Sequence, residues 1–142
     1  MNLDKEVVEK YWDDAIDGLQ KALSFLQNQC GIVIPSLLPY TTIVIPLAGM
    51  FSRISVLKGP KIGAAKDKIE KWYWCAVFGQ KYESSPNSQA AIDFQEVTKW
   101  VDGDKTPETI ENFLFDPANN IYYTTPAGSL SRSSWFDYEK SR

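Results

Sequence analysis

Residues 3–30 carry apolar side chains at helical spacing. At about 100° per residue, Val8, Tyr11, Trp12, Ala15, Leu19, Ala22, Leu26 and Cys30 fall on one stripe. Glu6, Lys10, Asp13, Asp17 and Lys21 fall on the opposite side. Asp4 and Glu6 stand in the first turn, where the helix dipole favours negative charge, and Gly31 is placed to end the helix. The pattern predicts one long amphipathic helix buried along that stripe, with Cys30 as a small core residue.

Ile32 to Pro39 is a connector punctuated by two prolines. A second helix is expected from Thr41 or Thr42 to about Arg53. With Thr42 as N-cap, Pro46 lies at the edge of the first turn, where a missing N–H costs little. The β-branched run Ile43 to Ile45 also fits a short buried strand. Gly59-Pro60 breaks the chain before a third helix, from about Lys61 to Gly79. Ile62, Ala65 and Ile69 form its inner stripe, which Trp72 and Ala76 continue, while Trp74 and Phe78 project from the other side. Such a helix is either central in its domain or covered by a partner. Trp72, Trp74 and Phe78 are therefore the candidate aromatic face.

Ser85-Pro86 supplies an N-cap and a first-turn proline for a fourth helix ending near Val101. Ala90, Phe94, Val97, Trp100 and Val101 form its buried stripe, and Asp93 falls close to the same side. A short fifth helix is expected from Thr106-Pro107-Glu108 to about Phe115. Residues 116–142 read as an irregular C-terminal segment after a helical domain over 1–115. Within that segment Ile121-Tyr122-Tyr123 fits an extended stretch, and Trp135-Phe136 lie near the end. The expected fold class is all-α, with four principal helices and a short fifth.

Composition narrows the chemistry more than it suggests any. The 142 residues contain no histidine, which removes Ser-His-Asp and Cys-His hydrolases, H-E-x-x-H proteases and histidine-dependent nucleases. Two cysteines are too few for a Cys₄ zinc site or a disulfide scaffold. No apolar run is long enough to span a bilayer, and the N-terminus has no secretory pattern, so a cytoplasmic location is expected. Charge is segregated along the chain. Arg53, Lys58, Lys61, Lys66, Lys68, Lys71 and Lys81 face only Asp67 and Glu70 within residues 52–81, while the flanking segments are acidic. A pI near 5.0 argues against a dedicated DNA binder but leaves room for a local basic face. Such a run is either a solvated helix surface or a phosphate-facing one.

Asp93 is the residue in an awkward place, since a carboxylate removed from water needs pairing or hydrogen bonds. Lys81, Tyr82, Ser84 and Asn87, just upstream, are its candidate partners; the expected role is a clamp through Lys81 and Tyr82 on the loop between the third and fourth helices, and the alternative is a ligand- or phosphate-linked one. Asp13, Asp14 and Asp17 read as surface charge. Asp102-Gly103-Asp104 lacks the closing Glu of a calcium loop, and there is no phosphate-binding glycine motif. No cofactor or metal is expected.

The order of Gly31-Ile32, Leu38-Pro39-Tyr40, Ile45-Pro46-Leu47, Lys71-Trp72-Tyr73-Trp74, Gln80-Lys81-Tyr82 and Asp93 resembles the helical middle region of GmrSD-type prokaryotic defence proteins. Members of that family join a ParB/sulfiredoxin-like nucleotide-hydrolysing module, a helical region and often an HNH-type nuclease module. The resemblance covers roughly residues 5–102. It implies a non-catalytic helical piece of a larger restriction protein, connecting catalytic modules. Arg53, Lys58, Lys61, Lys66, Lys68 and Lys71 would then face DNA, or other domains or subunits. This chain lacks the family's Asp-Gly-Gln-Gln-Arg motif and the histidines of an HNH module. The alternative is a stand-alone interaction protein binding its partner through the exposed aromatic face.

Overall fold

A computed structural model describes residues 4–113, together with the backbone of 123–124 and 130–131. The fold is all-helical: α1 (Lys5–Asn28), α2 (Val44–Ile54), α3 (Pro60–Phe78), α4 (Pro86–Val101) and a single-turn α5 (Glu108–Glu111). Farther along the chain, 123–124 pair antiparallel with 130–131 in a two-residue ladder. The fifth helix stops at Glu111, with Asn112 and Phe113 already outside it, so it is shorter than the expected run to Phe115; most of the C-terminal segment and Trp135-Phe136 lie outside the described residues.

The α1–α2 pair folds back on itself and forms the most extensive helix contact. Gly18 permits it: a Cβ there would lie 2.4 Å from the Ala48 carbonyl oxygen, so the two backbones touch. Phe25 packs on Phe51 at 5.3 Å between ring centroids and meets the edge of Tyr73 from α3 at 6.0 Å. Ala22, Leu26, Ile43, Leu47, Met50, Ile54, Ile69 and Trp72 complete the core around these rings. Each large side chain so buried contributes about 1.5–3 kcal/mol against leaving it in water.

The second helix begins differently from the expected Thr42 cap. Thr41–Ile43 forms a 3-10 turn with no side-chain cap and runs directly into α2, the Val44 N–H donating to the Thr41 carbonyl. Pro46 then sits in the first α-helical turn, where its missing N–H has little to bond, and it is buried. Ser85 occupies the expected N-cap position of α4 without a side-chain bond. The α3 terminus closes with the Lys81 N–H donating to the Ala76 carbonyl and Gln80 at φ 55°, a left-handed position usually given to glycine.

Two predicted stripes are corrected. On α1 only the C-terminal half of the stripe is buried, through Ala22 and Leu26, and Cys30 is half-buried. Val8, Tyr11, Trp12, Ala15 and Leu19 are exposed. The reason is length: Ser55, just past α2, bonds Asp17 and Lys21, so α2 ends level with Asp17 and covers nothing before it. On α4 the inward line is Ala90, Asp93 and Val97, whereas Phe94 is partly exposed against Gly49.

Candidate interaction surface

Asp93 is fully buried and its carboxylate is met by three donors. The Tyr82 hydroxyl donates to Oδ2 at 2.8 Å, and the Thr109 hydroxyl donates to Oδ1 at 2.6 Å. The Gln89 amide donates to Oδ1 at 3.0 Å and to the Thr109 oxygen at 3.3 Å. These bonds replace the water that the carboxylate loses and tie the α3–α4 loop and α5 to α4. Burial, then the Asp93 charge, then this hydrogen bond push the Tyr82 phenol far above its ordinary range. Lys81 takes no part: it is half-buried and makes no ion pair with Asp93 among the described residues. Neutral donors stand where a cation was expected, and Gln89 and Thr109 join them. Gln89 is one helical turn before Asp93, a spacing visible in the sequence, whereas Thr109 arrives only through the packing of α5.

The aromatic run divides. Trp72 is completely buried and belongs to the core, contrary to its place in the candidate face. Its indole N–H is a buried side-chain donor with no acceptor among the described residues. Trp74 and Phe78 are half-buried and stacked at 5.6 Å, with Tyr73 edge-on to Trp74 at 5.1 Å. Successive turns of one helix thus use these rings largely on one another.

Two of the basic residues are also engaged. The Lys68 ammonium donates to the Trp100 carbonyl at 2.7 Å and lies 5.0 Å from the centroid of its ring. Arg53 reaches Asp102 at 3.4 Å. Both cations lie at the negative end of α4, Lys68 on a carbonyl of its last turn and Arg53 on the carboxylate of the residue that follows it. Lys58, Lys61, Lys66 and Lys71 are exposed. Lys66 borders a cavity of about 470 Å³ between α1, α2 and α3, whose rim also carries Lys21, Asp67 and Glu70. The mixed signs give that opening no net preference for an anion.

One exposed apolar surface is made of residues the sequence pattern assigned to the core. Every residue from Lys5 to Ile16 is exposed, so twelve residues of α1, about 18 Å, extend beyond the end of α2. Tyr11 is 53% and Trp12 58% exposed, with Val7 and Val8 beside them. A second line on the same helix, Trp12, Ile16, Leu19 and Leu23, is also open, from 39% at Ile16 to 58% at Trp12. Its 4-3-4 spacing is that of a coiled-coil seam. It is distinct from the core line through Gly18, Ala22, Phe25 and Leu26. That spacing was the available signal, hidden because α1 is apolar over an arc wider than one partner helix needs.

Among the described residues no helix is long and apolar enough to cross a membrane. No group of three or more metal-ligating side chains is assembled there either. No family profile matches the chain, and no solved structure matches it. An uncharacterized protein of Methanocaldococcus jannaschii, MJ0686, is 35% identical over 70 residues, which is 49% of this chain and 12% of that protein. The chain therefore matches only a small part of that relative's length.

Proposed function

We propose that this chain is a non-catalytic helical module for protein–protein interaction, docking through the apolar side of the N-terminal half of α1. The carrying observation is that Val7, Val8, Tyr11, Trp12 and Ile16 are exposed together on a helix that has run past the end of its neighbour. An apolar patch of this kind marks an interaction surface, and aromatic residues are the usual energetic anchors of one. The twelve residues propagate from the packed half of α1, so covering them would suppress fraying of that end rather than nucleate it. This reading moves the exposed aromatic face from Trp74 and Phe78 on α3 to Tyr11 and Trp12 on α1. The GmrSD-type connecting role is a proposal that rests on the order of short motifs alone, with Lys58, Lys61, Lys66 and Lys71 as its exposed cations.

A photo-crosslinking amino acid at position 11, in the chain expressed in its native cells, tests the module. A discrete protein adduct is expected from position 11 and none from a control at the exposed Gln95. Absence of any adduct from position 11 overturns the reading.

A further inference from the structure

Resting on that reading, we infer that the seam Trp12, Ile16, Leu19 and Leu23 pairs two copies of this chain, their α1 helices antiparallel about a two-fold axis. A parallel pairing would set the two bulky Trp12 rings against each other, whereas the antiparallel one separates them. Run antiparallel, Trp12 of one copy lies opposite Leu23 of the other and Ile16 lies opposite Leu19, so every apolar position meets an apolar one and the largest side chain meets a flexible one. Ala15, small and exposed, flanks the seam on its inner side and lets the helices approach closely there.

Charge selects the same direction. Residues 4–17 carry Asp4, Glu6, Glu9, Asp13, Asp14 and Asp17 against Lys5 and Lys10, whereas residues 18–28 carry Lys21 alone. Parallel copies would stack the two acidic halves. Antiparallel copies separate them and set each beside the half that bears a lysine, with the helix dipoles opposed. From Trp12 to Leu23 the seam is about 17 Å long. So short a seam favours a weak, reversible dimer over a permanent one.

Sedimentation equilibrium of the full chain up to about 500 µM tests this, since that span brackets micromolar dissociation constants. The expected result is a reversible monomer–dimer equilibrium. Ile16→Lys and Leu19→Glu each bury an unpaired charge in the seam and should raise the dissociation constant at least about tenfold. Both positions are exposed, so far-UV circular dichroism of each should show wild-type helix content. Mixing the two variants sets the introduced ammonium of one opposite the introduced carboxylate of the other and should restore a heterodimer. A monomeric wild type, an unaffected dimer in either variant, or a mixture that stays monomeric overturns the inference. A monomer that still gives a discrete adduct from position 11 would remove the self-pairing and leave the interaction module standing.

Discussion

The Tyr82 hydroxyl lies 2.8 Å from Asp93 Oδ2, and this contact between a loop and the middle of a helix holds the α3–α4 connection against the body of the domain. Tyr82→Phe removes one donor and leaves Asp93 with two others, so it should cost about 1–2 kcal/mol. Asp93→Ala strands the buried hydroxyls of both Tyr82 and Thr109 and should cost at least about 3 kcal/mol, since each stranded buried group costs about 1–3 kcal/mol. Urea unfolding of both variants measures the difference. Equal, sub-kilocalorie effects would show that the cluster does not hold the loop.

Two helical glycines should respond with opposite signs to the same substitution. Gly18→Ala drives a methyl group into the Ala48 carbonyl and the Ser52 side chain, and destabilises by about 1–3 kcal/mol through forced separation of α1 and α2. Gly63→Ala places its methyl in open space and stabilises by up to about 1 kcal/mol through helix propensity. Thermal melts of the pair would show the two midpoints moving apart from that of the wild type.

The lysines of the basic segment should also separate. Lys68→Ala loses a bond to the Trp100 carbonyl, which the Gly103 N–H also reaches, and a contact with the Trp100 ring, at a cost of about 1 kcal/mol. Lys61→Ala, at an exposed position without such contacts, should change stability by less than about 0.5 kcal/mol. Denaturant midpoints distinguish them, and a neutral Lys68→Ala would return that lysine to the solvated surface.

Alkaline pH should unfold this protein in a defined order. Burial, then the charge of Glu70, raise the Cys30 thiol from its ordinary 9.0 to about 12. Tyr73 and Tyr82 are raised above their ordinary 10.0, and Cys75 is raised too, in each case chiefly by burial. Each of these acids is held neutral by folding. Its contribution is therefore complete below the unfolded value and is lost as pH rises toward the folded one. The urea midpoint should fall from pH 9.0 upward, and steepen above 10.0 as the tyrosines join. Cys30→Ala should flatten the first part of the curve. A midpoint constant from neutral pH to about 11 would contradict this linkage.

Helix boundaries were largely legible in the chain itself because their signals are local. Gly59-Pro60 opens α3, Ser85-Pro86 opens α4, and the apolar periodicity from Ala22 to Leu26 marks a buried face; these depend on neighbours a few residues away. Asp93 stood out for the same reason, as a carboxylate near an apolar stripe. Its partners did not, because Thr109 reaches it from α5 and that approach is a property of packing. The N-terminal half of α1 shows the limit most clearly. Periodicity reports that a helix has an apolar side, and Val8, Tyr11 and Trp12 continue the stripe of Ala22 and Leu26 closely enough to look like core. Whether that side is covered depends on how far the neighbouring helix extends. Only the tertiary structure, with α2 ending level with Asp17, decided that half of this stripe faces the solvent.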